Sequence, residues 1–289
     1  MKLGVMALCT DESVSVPELA VSAESRGFHS LYLGEHTHQP VTMASQYPMG
    51  TPPTGMRRMV DPLIALAAAA TITTTLELGT AVLLPSQHDV LVCAKQIATL
   101  DFLSQGRVVL GVGFGWNDEE MINHGVNPKR RRAALREHML AMEALWRDET
   151  AAADGERVSF SEAWQWPKPW KRDRPTVLMG AAPGPNTYQH IAEFCDGWMP
   201  VAGSDLSNQL PLLRRAFEEA GRDPSSLEVC VLGCPPHPKA LDKYAALGVQ
   251  RVIFPLPILE RGSTIDTVSR DDAERAMDQL QGLLEHVSP

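Results

Sequence analysis

The sequence predicts a single (β/α)8 barrel spanning residues 1–289, with insertion loops at its C-terminal face. Three observations predict it. Short apolar runs alternate eight times with segments of helical periodicity, which is the pattern of a parallel sheet with crossover helices. The runs are almost continuously apolar, as strands covered on both faces must be. No G-x-G-x-x-G turn follows the first strand, so the pattern favours the closed barrel over a doubly wound sheet.

The eight pairs read in order as follows. Lys2–Leu8 precedes a helix over Pro17–Arg26, Ser30–Leu33 precedes Pro62–Thr74, and Leu76–Leu84 precedes Asp89–Leu103. Arg107–Gly113 leads to Arg131–Arg147, Thr176–Met179 to Asn186–Phe194, and Gly197–Val201 to Ser207–Ala220. Leu227–Leu232 then precedes Pro238–Leu247, and Val249–Pro255 precedes Asp271–His286. Asp61-Pro62 supplies an N-cap with proline at the first helical position, and Gly27, Gly221 and Gly248 stand just past helix ends. Two connections are longer than usual for a compact domain, His36–Val60 and Asp148–Pro175. The first, with Pro40, Pro48, Pro52 and Pro53, reads as a cover over the substrate or as an insertion without that role. The second, with Phe160, Trp164, Trp166 and Trp170, reads as a flap packed onto the barrel through its aromatic residues.

A net charge of −9 argues against a surface that tracks phosphates, so no nucleic-acid partner is expected. No run of eighteen apolar residues and no secretory leader is evident, and the expectation is a cytoplasmic protein without a membrane contact. The five cysteines Cys9, Cys93, Cys195, Cys230 and Cys234 are odd in number and scattered; they read as reduced, buried residues rather than as disulfides or zinc ligands.

In this fold chemistry belongs at the C-terminal ends of the strands. The second strand ends in Gly34-Glu35-His36, a carboxylate beside an imidazole, suited to moving a proton to or from substrate. A metal reading of His36-Thr37-His38 lacks a third ligand at suitable spacing. The third strand ends in the apolar stretch Gly79–Pro85, which offers a wall for a flat ring. The fourth ends in Gly111-Val112-Gly113-Phe114-Gly115-Trp116-Asn117, whose glycines permit a close backbone approach to a ligand or a bulged strand end. The fifth ends in Gly180-Ala181-Ala182-Pro183-Gly184-Pro185, small residues opening a helix, where free amides suit a phosphate although two prolines remove donors. Lys129–Arg132 stands at a helix start, against the helix dipole; it reads as a solvated run relieved by neighbours such as Glu137, or as a contact to an anionic ligand tail.

Together these segments resemble the luciferase-like monooxygenase superfamily, in particular its branch of F420-dependent oxidoreductases common in actinobacteria. The resemblance rests on Ser30–His36, Asp61–Leu84, Lys95–Trp116 with Ala98-Thr99-Leu100-Asp101 and Ser104-Gln105-Gly106-Arg107, Pro167-Lys168-Pro169, Gly180–Pro185 and Asp196-Gly197-Trp198. It implies that coenzyme F420 is the cofactor, with FMN and monooxygenase chemistry as the alternative. Glu35 and His36 fall on the acid and histidine position near the ring and substrate, with Glu where Asp is common. Thr80, Ala81 and Val82 fall on the bulge behind the ring, where relatives often have a non-proline cis peptide. Gly113 and Trp116 fall on the strand lining the cofactor, and Gly180, Ala181, Ala182 and Gly184 on the phosphate clamp. The resemblance further implies a homodimer acting on a small organic molecule. A barrel that binds the deazaflavin without catalysis is the second function class, and a metal-dependent hydrolase using His36, His38 and Glu35 the third.

Overall fold

The computed structural model describes residues 1–48, 50–257 and 267–287. Eight parallel strands close into a barrel: β1 (Lys2–Ala7), β2 (Ser30–Leu33), β3 (Glu77–Leu83), β4 (Val108–Val112), and, after a hairpin of β5 (Thr150–Asp154) and β6 (Ser159–Trp164), β7 (Thr176–Met179), β8 (Gly197–Trp198), β9 (Glu228–Leu232) and β10 (Arg251–Leu256). The order around the barrel is β1-β10-β9-β8-β7-β4-β3-β2, each strand parallel to its neighbours. The predicted fold class therefore stands.

Among the described residues eight helices follow those strands: α1 (Val16–Ser25), α2 (Pro62–Ala70), α3 (Val90–Leu103), then, past the one-and-a-half-turn α4 (Asp118–Asn123), α5 (Arg131–Arg147), α6 (Pro185–Phe194), α7 (Leu206–Glu219), α8 (Pro238–Ala246) and α9 (Arg270–Val287). Local chemistry fixes their starts. Asp61 and Asp89 accept the backbone N–H of Ile64 and Val92 at 2.9 Å, and Ser15 and Glu18 form a reciprocal capping box. Gly27, Gly221 and Gly248 take positive φ beyond helix ends.

Helices and strands share one continuous core, with Leu19, Leu66, Ile97, Met142, Phe194 and Phe217 closing on the outer strand faces. Inside the barrel, Tyr32, Val109, Leu178, Met199, Cys230 and Ile253 form a second cluster that fills it. All five cysteines are buried and free, and burial raises each thiol. Among the described residues no helix is long and apolar enough to cross a membrane.

Two elements lie outside the sequence reading. The connection 148–175, read as a flap packed on the barrel, carries the antiparallel hairpin β5–β6 outside the barrel sheet. Phe160 packs on the core and Trp170 meets Phe102 edge-on, whereas Trp164 and Trp166 are exposed, so only part of that aromatic set packs as predicted. The other is α4, inserted directly after β4, and it brings in the residues that organise the mouth of the barrel.

Candidate active site at the barrel mouth

His36 leaves the end of β2 at the C-terminal mouth with its side chain about nine-tenths buried. Its Nδ1 lies 2.7 Å from Oε2 of Glu120, whose side chain has no solvent exposure. The indole Nε1–H of Trp116 donates to His36 Nε2 at 3.2 Å, with the rings edge to face at 5.6 Å. A carboxylate accepts only, so Nδ1 carries the proton in this arrangement, and Nε2 presents a lone pair. That is the form in which an imidazole accepts a proton from a substrate hydroxyl.

The partner of His36 is thus Glu120 and not its chain neighbour Glu35, which corrects the expectation of a side-by-side acid–base pair. Successive residues leaving a strand point to opposite sides. Glu35 is buried beneath the mouth, where Oε2 accepts Leu84 N–H at 2.5 Å and Oε1 lies 2.6 Å from His88 Nε2. Burial would lower His88, but the hydrogen bond and charge of Glu35 outweigh it, and its pKa is raised. Glu35 therefore holds the chain just after the β3 bulge.

Glu120 was missed because it is far from β2 in sequence and sits on a short helix. Its signal was nonetheless present: Asn117-Asp118-Glu119-Glu120 is an N-cap followed by acids, and Asn117 Oδ1 accepts Glu120 N–H at 3.1 Å. Glu120 Oε1 also accepts Thr37 N–H at 3.0 Å, so one carboxylate grips two successive residues after β2.

Behind this pair, the peptide Ala81–Val82 is cis, and the β3–β4 register shifts between Thr80 and Leu83. Thr80 spends its hydroxyl on Gly111 O at 2.7 Å, in the core. The glycines facing the bulge make room for it. A Cβ on Gly113 would stand 2.7 Å from Val82 Cγ2, and one on Gly180 2.4 Å from Val82 Cγ1. At both positions the close approach is strand to strand, through Val82.

The clamp after β7 presents unused donors. Gly180 N–H is bound to Val112 O at 2.8 Å, but the amides of Ala181, Ala182 and Gly184 have no protein acceptor among the described residues. Thr187 closes the turn by donating to Ala182 O, and Trp198 donates to Ala181 O, both at 2.9 Å.

Arg132 bears on this turn. Arg130 pairs with Glu156 and Arg131 with Asp118, but Arg132 turns inward, its guanidinium 4.3 Å from the Phe114 ring centroid and 3.2 Å from Thr187 Oγ1. Burial and Arg131 lower its pKa, and no carboxylate lies within ion-pair distance among the described residues. The solvated reading of the basic run holds for Arg130 and fails for Arg132. Glu137, the proposed relief for that charge, instead accepts the N–H groups of Arg157 and Val158.

Over the mouth lies the segment 37–48. Glu119 accepts Ala44 N–H at 2.7 Å and Ser45 Oγ–H at 2.6 Å, and Tyr47 meets Trp116 at 5.2 Å. These bonds, Ser45 first, pull the Glu119 carboxyl down to about 2. His38 and His124 stand at the outer edge, 5.4 Å apart by ring centroids. The shallow depressions lined by Met1, Lys2, Glu228, Gln250 and Arg251 lie at the opposite rim, where Arg251 is tied to Glu77 and Glu228.

The luciferase-like monooxygenase family profile matches residues 7–246. An uncharacterized protein of Mycobacterium tuberculosis is 42% identical over 262 residues, covering 89% of this chain and 92% of that protein. An F420-dependent glucose-6-phosphate dehydrogenase of Beutenbergia cavernae is 30% identical over 233 residues, 77% of this chain and 65% of the relative. Among solved structures, monooxygenase RslO1 of Streptomyces bottropensis superposes with a TM-score of 0.79 at 21% identity over the whole of both chains. An F420-dependent secondary alcohol dehydrogenase holding an F420-acetone adduct superposes at 0.78 and 18% identity, covering 100% of this chain and 99% of that one; both share the fold. With the profile covering most of the barrel, the chain belongs to the luciferase-like monooxygenase family.

Proposed function

We propose that this protein is an F420-dependent oxidoreductase that transfers a hydride between the deazaflavin and a small organic substrate. The observation that carries the reading is His36: one ring nitrogen is fixed by a buried carboxylate, and the other is an acceptor at the barrel mouth whose partner in this structure is the Trp116 indole N–H. A hydride transfer at an alcohol or carbonyl carbon needs a partner for the oxygen-borne proton, and the acceptor character of His36 Nε2 supports His36 in that role. Glu120 keeps the imidazole in one tautomer and one orientation. Trp116 yields its hydrogen bond to the substrate oxygen.

The residues present fit a flat, phosphate-bearing cofactor. The bulge at Ala81 and Val82 supplies an apolar wall, and the free amides of Ala181, Ala182 and Gly184 beside Arg132 supply an anion site. Bound there, F420 supplies the hydride chemistry, and the barrel supplies orientation and a proton partner. The choice of F420 over FMN is supported by relatives named as F420-dependent dehydrogenases. The cover 37–48, with Met43, Tyr47 and few charges over the site, favours an uncharged organic substrate.

Titrating the apo-protein separately with F420 and FMN, following tryptophan fluorescence, tests the proposal. Preferential quenching by F420 is expected. Preference for FMN would replace it with a flavin monooxygenase, and failure to bind either would overturn the cofactor reading. If F420 binds, loss of turnover in His36→Ala with binding retained separates catalysis from mere deazaflavin sequestration.

A further inference from the structure

One step outward from His36, three side chains able to ligate a metal converge from two parts of the chain. Glu120 and His124 are four residues apart on α4 and its C-terminal cap, so one helical turn puts them on the same face. His38 faces them from the segment leaving β2. One ligand atom from each of the three lies within 4.8 Å of the other two.

The Thr37 hydroxyl marks the point of convergence. Its Oγ1 is 2.6 Å from His124 Nε2, 3.0 Å from His38 Nδ1 and 3.5 Å from Glu120 Oε1. Without a cation the hydroxyl satisfies all three, accepting from one N–H of each imidazole and donating to Glu120. A cation instead takes a lone pair from each imidazole, with the ring proton on the other nitrogen, together with the Glu120 carboxylate. The ring geometry agrees: two imidazoles on one tetrahedral ion with metal–nitrogen bonds of roughly 2.0–2.1 Å stand about 5 Å apart by centroid. The observed separation is 5.4 Å, with the planes at 53°.

We propose that His38, Glu120 and His124 form a binding site for a first-row divalent transition ion such as Zn2+, with Thr37 Oγ1 or water completing the coordination. Two imidazoles and one carboxylate suit such ions and not Mg2+ or Ca2+, which prefer all-oxygen sets. The Asn123 amide, 2.8 Å from His38 Nε2, is the outer-sphere partner. With the metal on Nδ1 the ring proton sits on Nε2, and a turn of that amide brings its carbonyl round to accept it. The ligand atoms, within 4.8 Å of one another in this structure, close on the ion by rotation of His38 and His124. The carboxylate is shared: Glu120 offers Oε1 to the ion while Oε2 remains on His36. Metal occupancy and the anchoring of the proposed catalytic imidazole thus depend on one side chain. Of the sequence-read run His36-Thr37-His38 the proposed set keeps only His38 as a nitrogen ligand, and its other two ligands, Glu120 and His124, come from α4 and its C-terminal cap.

The site is tested on chelator-treated protein by calorimetric titration with ZnCl2, and with Co2+ followed by its visible absorption. One Zn2+ per chain is expected, with affinity falling at least about tenfold in His38→Gln and in His124→Gln, and by a smaller factor in Asn123→Ala. His286→Gln, at a remote surface histidine paired with Asp242, should bind as the wild type does. Circular dichroism of each variant separates lost ligation from lost folding. Absence of binding overturns the proposal, as does affinity unchanged in both His38→Gln and His124→Gln, which would place the ion elsewhere. The inference rests on ligand geometry and not on the cofactor, so F420 titration of the same samples fails or succeeds independently.

Discussion

Glu120→Gln is the substitution that most directly tests how the mouth is organised. It keeps shape and volume and removes only charge and one acceptor. In the native site the two carboxylate oxygens each accept a different N–H, His36 Nδ1–H on Oε2 and Thr37 N–H on Oε1. A glutamine has one acceptor and one donor group, so its NH2 must face one of those two donors. Facing Thr37, it leaves a backbone N–H opposed by another donor. Facing His36, it forces the ring proton onto Nε2, where it meets the Trp116 indole N–H at 3.2 Å. Either way one partly or fully buried donor loses its acceptor, at about 1–3 kcal/mol. At roughly 2–4 °C per kcal/mol for a chain of this size class, the midpoint of thermal unfolding should fall by several degrees. The assay is calorimetry together with 15N NMR of the His36 ring, which reports the tautomer directly. A variant with unchanged melting temperature and unchanged His36 tautomer would refute the claim that Glu120 sets both.

Three further outcomes follow from the same geometry. Arg132→Gln removes the inward guanidinium beside Thr187; the loss of one charge-assisted hydrogen bond should weaken binding of a phosphate-bearing cofactor roughly ten- to a hundredfold in a fluorescence titration, and equal affinity would show that the clamp lies elsewhere. Gly180→Ala puts a Cβ 2.4 Å from Val82 Cγ1, so the wall must shift; a loss of about 1–3 kcal/mol in denaturant unfolding is expected, and a neutral result would mean the bulge is soft. His88 has a raised pKa in the folded state, so its pairing with Glu35 stabilises fully below its unfolded value of about 6.5 and fades as pH rises through the folded one. The stability gap between wild type and His88→Gln should therefore shrink as pH rises from about 6, and a gap that widened instead would mean the pairing is not with protonated His88.

What the sequence made legible, and what it hid, divides by the range of the forces involved. Strands and helices were readable because apolar periodicity and caps such as Asp61 act within a few residues. The same holds in part for the end of β2: His36 stands at the barrel mouth as its position in the sequence predicts, whereas Glu35 is buried beneath it. Which carboxylate serves which imidazole is not local, because adjacent side chains leave a strand in opposite directions. Glu35 consequently went down to His88 and Leu84, and His36 up to Glu120, across 84 positions of chain. Several segments that make the family recognisable are structural for the same reason. Asp101 is buried and accepts Trp170 N–H at 2.8 Å while pairing with Arg172, and Arg107 spreads its guanidinium over the carbonyls of Ala70, Thr73 and Leu76. Those bonds join helix ends to the connections beside β3, β4 and β7 and never reach the mouth. Motifs of this kind fix the barrel and leave the substrate open, whereas α4 and the cover 37–48 meet above His36 through Glu119, Glu120, His38 and His124. Specificity should therefore change most readily by substitution in those two insertions, with the barrel beneath them unaltered.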